Sequence, residues 1–417
     1  MSRIPLLLAL LALVAPGAAW AQTPKPAPKP AKTFALDYTI ELLPKLDQAR
    51  ITIALGQGSE RVKRLALGFD AKRYSGFKAS LGQFVAEAPD KAVWTPAGPG
   101  SKLVYLVRIT RKRDSGDFDA RMTADWALFR GDKAIPFIKA RMKKNTESVA
   151  RLRFVLPPGW TNVDTGWMRM PDGRFAVDNR ERRFDRPIGW IIAGRVGTRR
   201  DQLGSTEIAV AAPKGDPLDR MDALTMINFV WPEIEGAFRR TPRKVLIVGA
   251  GDPMWRGGLS APNSLFFHSQ RPLVSENATS TLFHELTHVV TRISGEDRSD
   301  WIAEGLAEFY SVELNWRAGG MSDARRERVF SNLRDWGARV KSLRTEHSSA
   351  EITARAVVLL HELDAEIRAR SKDARDIDDL TRILCVLRKV STAEFVAAAE
   401  KVLGGKSRVL ATPLLHM

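Results

Sequence analysis

The residues STLFHELTHVV at 280–290 place His284, Glu285 and His288 in an HExxH spacing. On a helix, positions i and i+4 share one face about a turn apart. Two imidazoles at that spacing meet one zinc ion, and the acid between them lies beside the metal. Glu285 is there placed to take a proton from a metal-activated water. Further on, DWIAEGLAEFY at 300–310 offers Glu304 as a third ligand. A His, His, Glu set leaves the fourth position of a tetrahedral ion for water, as a catalytic site requires. Glu308 follows one turn later on the same face. It is placed to accept a hydrogen bond from the far ring nitrogen of a ligand histidine and so to fix its tautomer. The chain has six histidines, and two fall into this pattern beside the correct acids. The chemistry expected is hydrolysis assisted by one Zn2+ ion.

Helices must carry these residues. Ser275 is a candidate N-cap for the first, and Ser299 or Asp300 for the second, which Gly319-Gly320 would end. Upstream, 207–211 and 244–248 read as short strands, with a helix over 218–238 between them. Asp216 is its candidate cap, Pro217 its first residue, and Pro232 is expected to kink or divide it. From 33 to 196 the texture is β: 34–42, 49–55, 103–109 and 148–156 alternate or run apolar, with Gly, Pro, Asp and Asn clusters between. Trp160, Trp167 and Trp190 in this part read as core residues. The expected organisation is α+β: a leader over 1–21, a linker over 22–32, a β-sandwich-like domain over 33–196, and a mainly helical domain over 197–417 that carries the chemistry.

The first residues read as a secretory signal. Arg3 precedes an apolar run over 4–14, and Ala19-Trp20-Ala21 matches a small-x-small cleavage site. QTPKPAPKPAK then reads as an extended spacer. No later segment reaches the length of a membrane span. The expectation is an exported protein, periplasmic or secreted. Its formal net charge of +17 favours anionic partners such as cell-envelope polymers or acidic peptides, and the compartment argues against nucleic acid. Cys385 is the single cysteine, so no intramolecular disulfide forms; it sits in an apolar run as a packed thiol. The sequon at 277–279 carries no meaning behind a bacterial-type signal.

HELTH at 284–288 with WIAEGLAEFY at 301–310 resembles the gluzincin metallopeptidases, and most of all the glycyl aminopeptidase family. Gly257-Gly258-Leu259 with Ser264 is similar to that family's edge strand. LDAEIR at 363–368 with IDDL at 377–380 is similar to its C-terminal helices. The resemblance spans about residues 250 to 385 and implies a thermolysin-like catalytic domain, zinc, and peptide or protein substrates. It gives His284, His288 and Glu304 as ligands, Glu285 as general base, and an edge strand over 257–267 that pairs with the substrate backbone.

Several family features are missing. Ser260-Ala261 stand where the family has Glu-His, so an amine-binding glutamate is lacking. Thr353 stands where it has a tyrosine that stabilises the oxyanion, and no PDZ domain precedes Met417. Arg355 and His347 are the replacement candidates for the oxyanion contact. His361 reads as a packed side chain, and His268 as a residue at the end of the edge strand. Two functions follow: a zinc peptidase, or a zinc-retaining peptide-binding protein of the cell envelope with little turnover.

Overall fold

A computed structural model describes residues 31–179 and 183–416. The leader and most of the linker lie outside the described residues. Lys32, read as the last linker residue, opens the first strand.

The N-terminal part is built from three sheets. Its longest strand, Lys32–Leu43, pairs parallel with Thr146–Val155 and antiparallel with Gln48–Leu55 inside a seven-stranded sheet. Period-2 alternation turns Phe34, Leu36, Tyr38, Ile40 and Leu42 to one buried face. A four-stranded sheet contributes Leu65, Leu67 and Trp94 to the same core.

The third sheet joins the two halves of the molecule. Its strands Trp126–Arg130 and Trp190–Gly194 are antiparallel. One face sends Phe129, Ile191 and Ala193 into the N-terminal core. The other sends Leu128, Trp190 and Ile192 against Ala209, Ala211, Leu246, Val248 and Phe266 of the next sheet. A strand covered on both faces reads as an unbroken apolar run, as Trp190 to Gly194 does. Trp160, Trp167 and Trp190 are all buried.

The C-terminal part opens with a five-stranded sheet in the order Val196–Leu203, Thr206–Pro213, Lys244–Ala250, Ser264–His268, Gly258–Ala261. Val196 is thus the first residue of this sheet. The two central pairings are parallel and the outer two antiparallel. One face of the sheet meets the N-terminal part. The other is covered by α1 (Arg220–Phe238), α2 (Thr281–Thr291) and α3 (Asp300–Arg317) in one apolar core. Then follow α4 (Asp323–Gly337), α5 (Glu351–Ser371), α6 (Ile377–Leu387) and α7 (Thr392–Leu403). No described helix is long and apolar enough to cross a membrane.

Local details differ from the sequence expectations. Asp219, not Asp216, caps α1, accepting from the N–H groups of Met221 and Asp222. Asp216 instead binds the N–H of Gly251 and the hydroxyl of Ser269. Pro232 lies inside α1 without dividing it. Ser280, not Ser275, caps α2, because Ser275 is held in a turn by Ala278 and Thr279. Ser299 is the N-cap residue of α3 but its hydroxyl serves Thr392, and Asp300 accepts from the Ser348 N–H.

A buried ionic joint also links the halves. Lys244 binds Asp164 at 2.8 Å and Glu207 at 3.0 Å, and Arg200 also contacts Asp164. Asp164 and Lys244 are both almost fully buried. Removing one member leaves a buried charge with too few partners. Lys244→Met is expected to lower stability by about 3 kcal/mol or more, read as a shift of the urea midpoint at unchanged slope.

Candidate metal centre

Helix α2 is amphipathic: Leu282, Phe283, Leu286 and Val289 enter the core, and His284 and His288 emerge on the cleft side. Helix α3 packs against α2 and brings Glu304 opposite them. Gly305 lets α5 approach α3: a methyl there would sit 2.9 Å from the Ala356 side chain. This close packing places the N-terminal turn of α5 at the cleft.

The ligating atoms converge. His284 Nε2 and His288 Nε2 are 3.2 Å apart. Each lies 3.4 Å from a Glu304 carboxylate oxygen. Ligands bound tetrahedrally to zinc at their usual lengths stand about 3.3–3.4 Å from one another. These separations are of the size that a zinc ion requires, with Glu304 facing His284 through Oε2 and His288 through Oε1. Among the described residues, no other His, Cys, Asp and Glu side chains gather in this way. Glu308 meets His284 Nδ1 at 2.9 Å, so with a proton held between them Nε2 is the nitrogen that turns toward a metal.

The electrostatics call for a cation. Burial disfavours a charged His284, but the hydrogen bonds it donates to Glu304 and Glu308 and the charges of Glu308 and Glu285 outweigh it and raise its pKa to about 10. Burial likewise opposes ionisation of Glu304, yet its bonds to both histidines hold its carboxyl well below the usual range. Three carboxylates face two imidazoles here, so without a metal the cluster recruits a proton.

Glu285 is largely buried against the edge strand. A methyl on Gly258 would lie 2.6 Å from Glu285 Cγ and 2.7 Å from Thr281, so only glycine lets the strand pass this close. The 257–267 segment is a hairpin rather than one strand. It turns at Pro262-Asn263, so only Gly258–Ala261 is at the edge and Ser264–His268 lies inside the sheet. Gly257 O accepts from His268 N at 3.0 Å. Antiparallel alternation then turns the peptide groups of Gly258 and Ser260 outward, away from the hairpin partner.

The N-terminal part holds this hairpin. Trp190 Nε1 donates to Leu259 O, and Trp190 N to Ser264 Oγ, both at 2.8 Å. Phe118 N donates to Pro253 O, and Trp255 N to Phe118 O.

The cleft has a volume of about 440 Å3. His284, Glu285, Glu304, Glu308, Gly257 and Gly258 line it, with Trp255, Arg271, Leu333, Trp336, Ser348, Ser349 and Thr353 among the others. Leu259, His347 and Arg355 are not among its lining residues. Leu259 packs toward Trp190, His347 is exposed on its loop, and the Arg355 backbone lies against Gly337. His268 is fully buried, and His361 stacks on Phe330 with ring centres 3.9 Å apart. Trp255, Arg271 and Trp336 carried no motif that would single them out. Another cavity, of about 360 Å3, opens beside Arg240, Arg243 and Lys244 but contains no ligating cluster.

No family model and no curated protein matches the chain by sequence. Its fold does match solved structures. It is similar to an aminopeptidase N family protein from Idiomarina loihiensis, at 13% identity and a TM-score of 0.64, over 87% of this chain and 72% of that one. It is also similar to native yeast LTA4 hydrolase, at 12% identity and a TM-score of 0.53, over 91% of this chain and 66% of that one. For yeast LTA4 hydrolase in complex with bestatin the TM-score is 0.56. Identities this low establish a shared architecture.

Two outcomes are expected of the cluster. Glu308→Ala weakens zinc binding about 10- to 100-fold, read by chelator competition. A histidine with a pKa near 10 is protonated at pH 7.5, so zinc must displace that proton. Calorimetry in buffers of differing ionisation enthalpy should find about one proton released per zinc, and affinity falling as pH falls.

Proposed function

We propose that the chain is an exported, zinc-dependent peptidase with Glu285 as its general base. The observation that carries this is the tetrahedral spacing of His284, His288 and Glu304 beside a carboxylate pressed against an open strand edge. Bound in that set, zinc supplies Lewis acidity, polarising a carbonyl and making water nucleophilic near neutral pH. Glu285 holds the proton that the attacking water loses and returns it to the departing amine. The outward peptide groups of Gly258 and Ser260 align an extended substrate by strand addition. Glu308 keeps the His284 ring in its ligating tautomer.

The resemblance to gluzincin and glycyl aminopeptidase motifs and the likeness in fold to the aminopeptidase N family protein support this reading. The leader sequence supports export. A catalytic domain from Val196 onward, behind a β-rich domain that opens at Lys32, fits the sheet order.

One observation favours a second reading, a zinc-retaining peptide binder. No tyrosine lines the cleft, and Tyr310, the last in the sequence, is buried and bonded to Asp378 and Thr381. An oxyanion donor is worth about 3 kcal/mol or more, so turnover without a replacement is slow. A peptide-library digest at neutral pH separates the readings. The expected outcome is cleavage that a chelator abolishes and that Glu285→Gln lowers by about 100-fold or more while zinc content by mass spectrometry stays at one ion. Bound but uncut peptides, or full activity in Glu285→Gln, would overturn the peptidase reading.

A further inference from the structure

The cleft is unevenly charged. Its acidic lining residues are Glu285, Glu304 and Glu308, and all three belong to the metal cluster. No fourth carboxylate lines it among the described residues, so a peptide's free amino group finds no ion-pair partner there. The cations that line it are Arg256 and Arg271. Arg256 is gripped by both carboxylate oxygens of Asp252 and so is neutralised. Among the described residues Arg271 has no such partner. Its one side-chain hydrogen bond runs from Nη1 to the carbonyl oxygen of Arg256, at 2.9 Å. A carbonyl does not cancel a full charge, and a guanidinium offers five donors.

That single bond also fixes where the charge sits. Arg271 N donates to His268 O, which turns the chain back toward the edge strand. Arg256 stands two residues before Gly258, at a bend closed by the bond from Gly257 N to Trp255 O, so the two residues are at most about 7 Å apart. The guanidinium is therefore anchored at the start of the edge strand, its partner carbonyl at most about two residues' length from the contact between Gly258 and Glu285.

We infer that Arg271 is a specificity-determining residue that binds a carboxylate of the substrate within about two residues of the bond placed beside Glu285. The inference rests on the peptide-binding reading of this cleft and names its preferred substrates as anionic peptides. The carboxylate has two sources, an Asp or Glu side chain and the chain terminus. Trp255, with Arg113 at 4.4 Å over its ring, and the half-exposed Trp336 supply apolar walls for neighbouring residues. The overall charge of +17 acts in the same direction by raising the local concentration of anions.

The test measures binding rather than turnover. Zinc-loaded Glu285→Gln protein is titrated with fluorescent peptides: a neutral one with an amidated C-terminus, the same with one internal Glu, and the same with a free C-terminal acid. At least one anionic peptide should bind about ten-fold or more tightly than the neutral one. Adding Arg271→Gln, which keeps a donor for the Arg256 carbonyl, should bring the ratio to about one. Arg271→Lys should restore part of it, and Arg271→Glu should favour a peptide with an internal Lys. Circular dichroism and zinc content confirm that each variant is folded. A preference for internal Glu assigns the side chain, and a preference for the free acid alone assigns the terminus. Equal binding of all three peptides, no measurable binding, or a preference that survives Arg271→Gln would overturn the inference. Failure of the native protein to cleave any peptide bears instead on the peptidase reading, since the binding ratio needs no turnover.

Discussion

Three carboxylates and two imidazoles share one partly buried space at the junction of α2 and α3. Unbalanced charge is costly where water is scarce. Without a metal the balance is met by a proton, and the raised pKa of His284 records it. With a dication the same groups become ligands and their supports. The convergence demands that two successive helices be fixed closely against each other. Their apolar faces do this. Leu282, Phe283 and Leu286 of α2 and Trp301, Leu306 and Phe309 of α3 lie in one core. Gly305 then admits α5, and the far end of α3 is held by a buried network in which Glu313 meets Arg317 and Arg326.

The second constraint is the strand edge. The backbone of residue 258 passes close to Glu285, and only a residue without a side chain, Gly258, allows it. A glycine strand weakens its own sheet, because it packs nothing. The compensation comes from outside the catalytic part. Trp190 and Phe118, both in the N-terminal sheets, bond to the backbone on either side of Gly257-Gly258. The β-rich part thus braces the strand edge beside Glu285, although it contributes no side chain to the cluster of His284, His288 and Glu304.

Legibility in the sequence followed the range of the interactions. His284, Glu285, His288 and the pair Glu304 and Glu308 could be named because helical spacing alone places them on shared faces. The strands at 34–42 and 49–55 could be named because their alternation is local. Misreadings arose where several acceptable residues compete within a few positions. Asp216 and Asp219 are both good caps, and the hydrogen bonds that draw Asp216 to Gly251 and Ser269 come from far along the chain. Ser275 lost α2 to Ser280 for a local reason, a turn closed by its own neighbours. The two-residue turn at Pro262-Asn263 hid a hairpin inside what reads as one apolar strand. Arg271 had no local signature at all, since its meaning depends on which acids lie near it in space.

That last point bears on how far likeness of fold extends. An architecture shared at 13% identity fixes where a helix pair and a strand edge can meet. It does not fix which charges line the cleft between them, because those side chains sit on loops and helix ends that the core does not constrain. Recognition of a free amine needs a carboxylate that is not already bound to something else. In this cleft every lining carboxylate is engaged by the histidine cluster or held beside it, and the guanidinium without a carboxylate partner is a cation. On the proposed reading, the arrangement sets a water-activating cluster beside a cleft whose unpaired charge is positive.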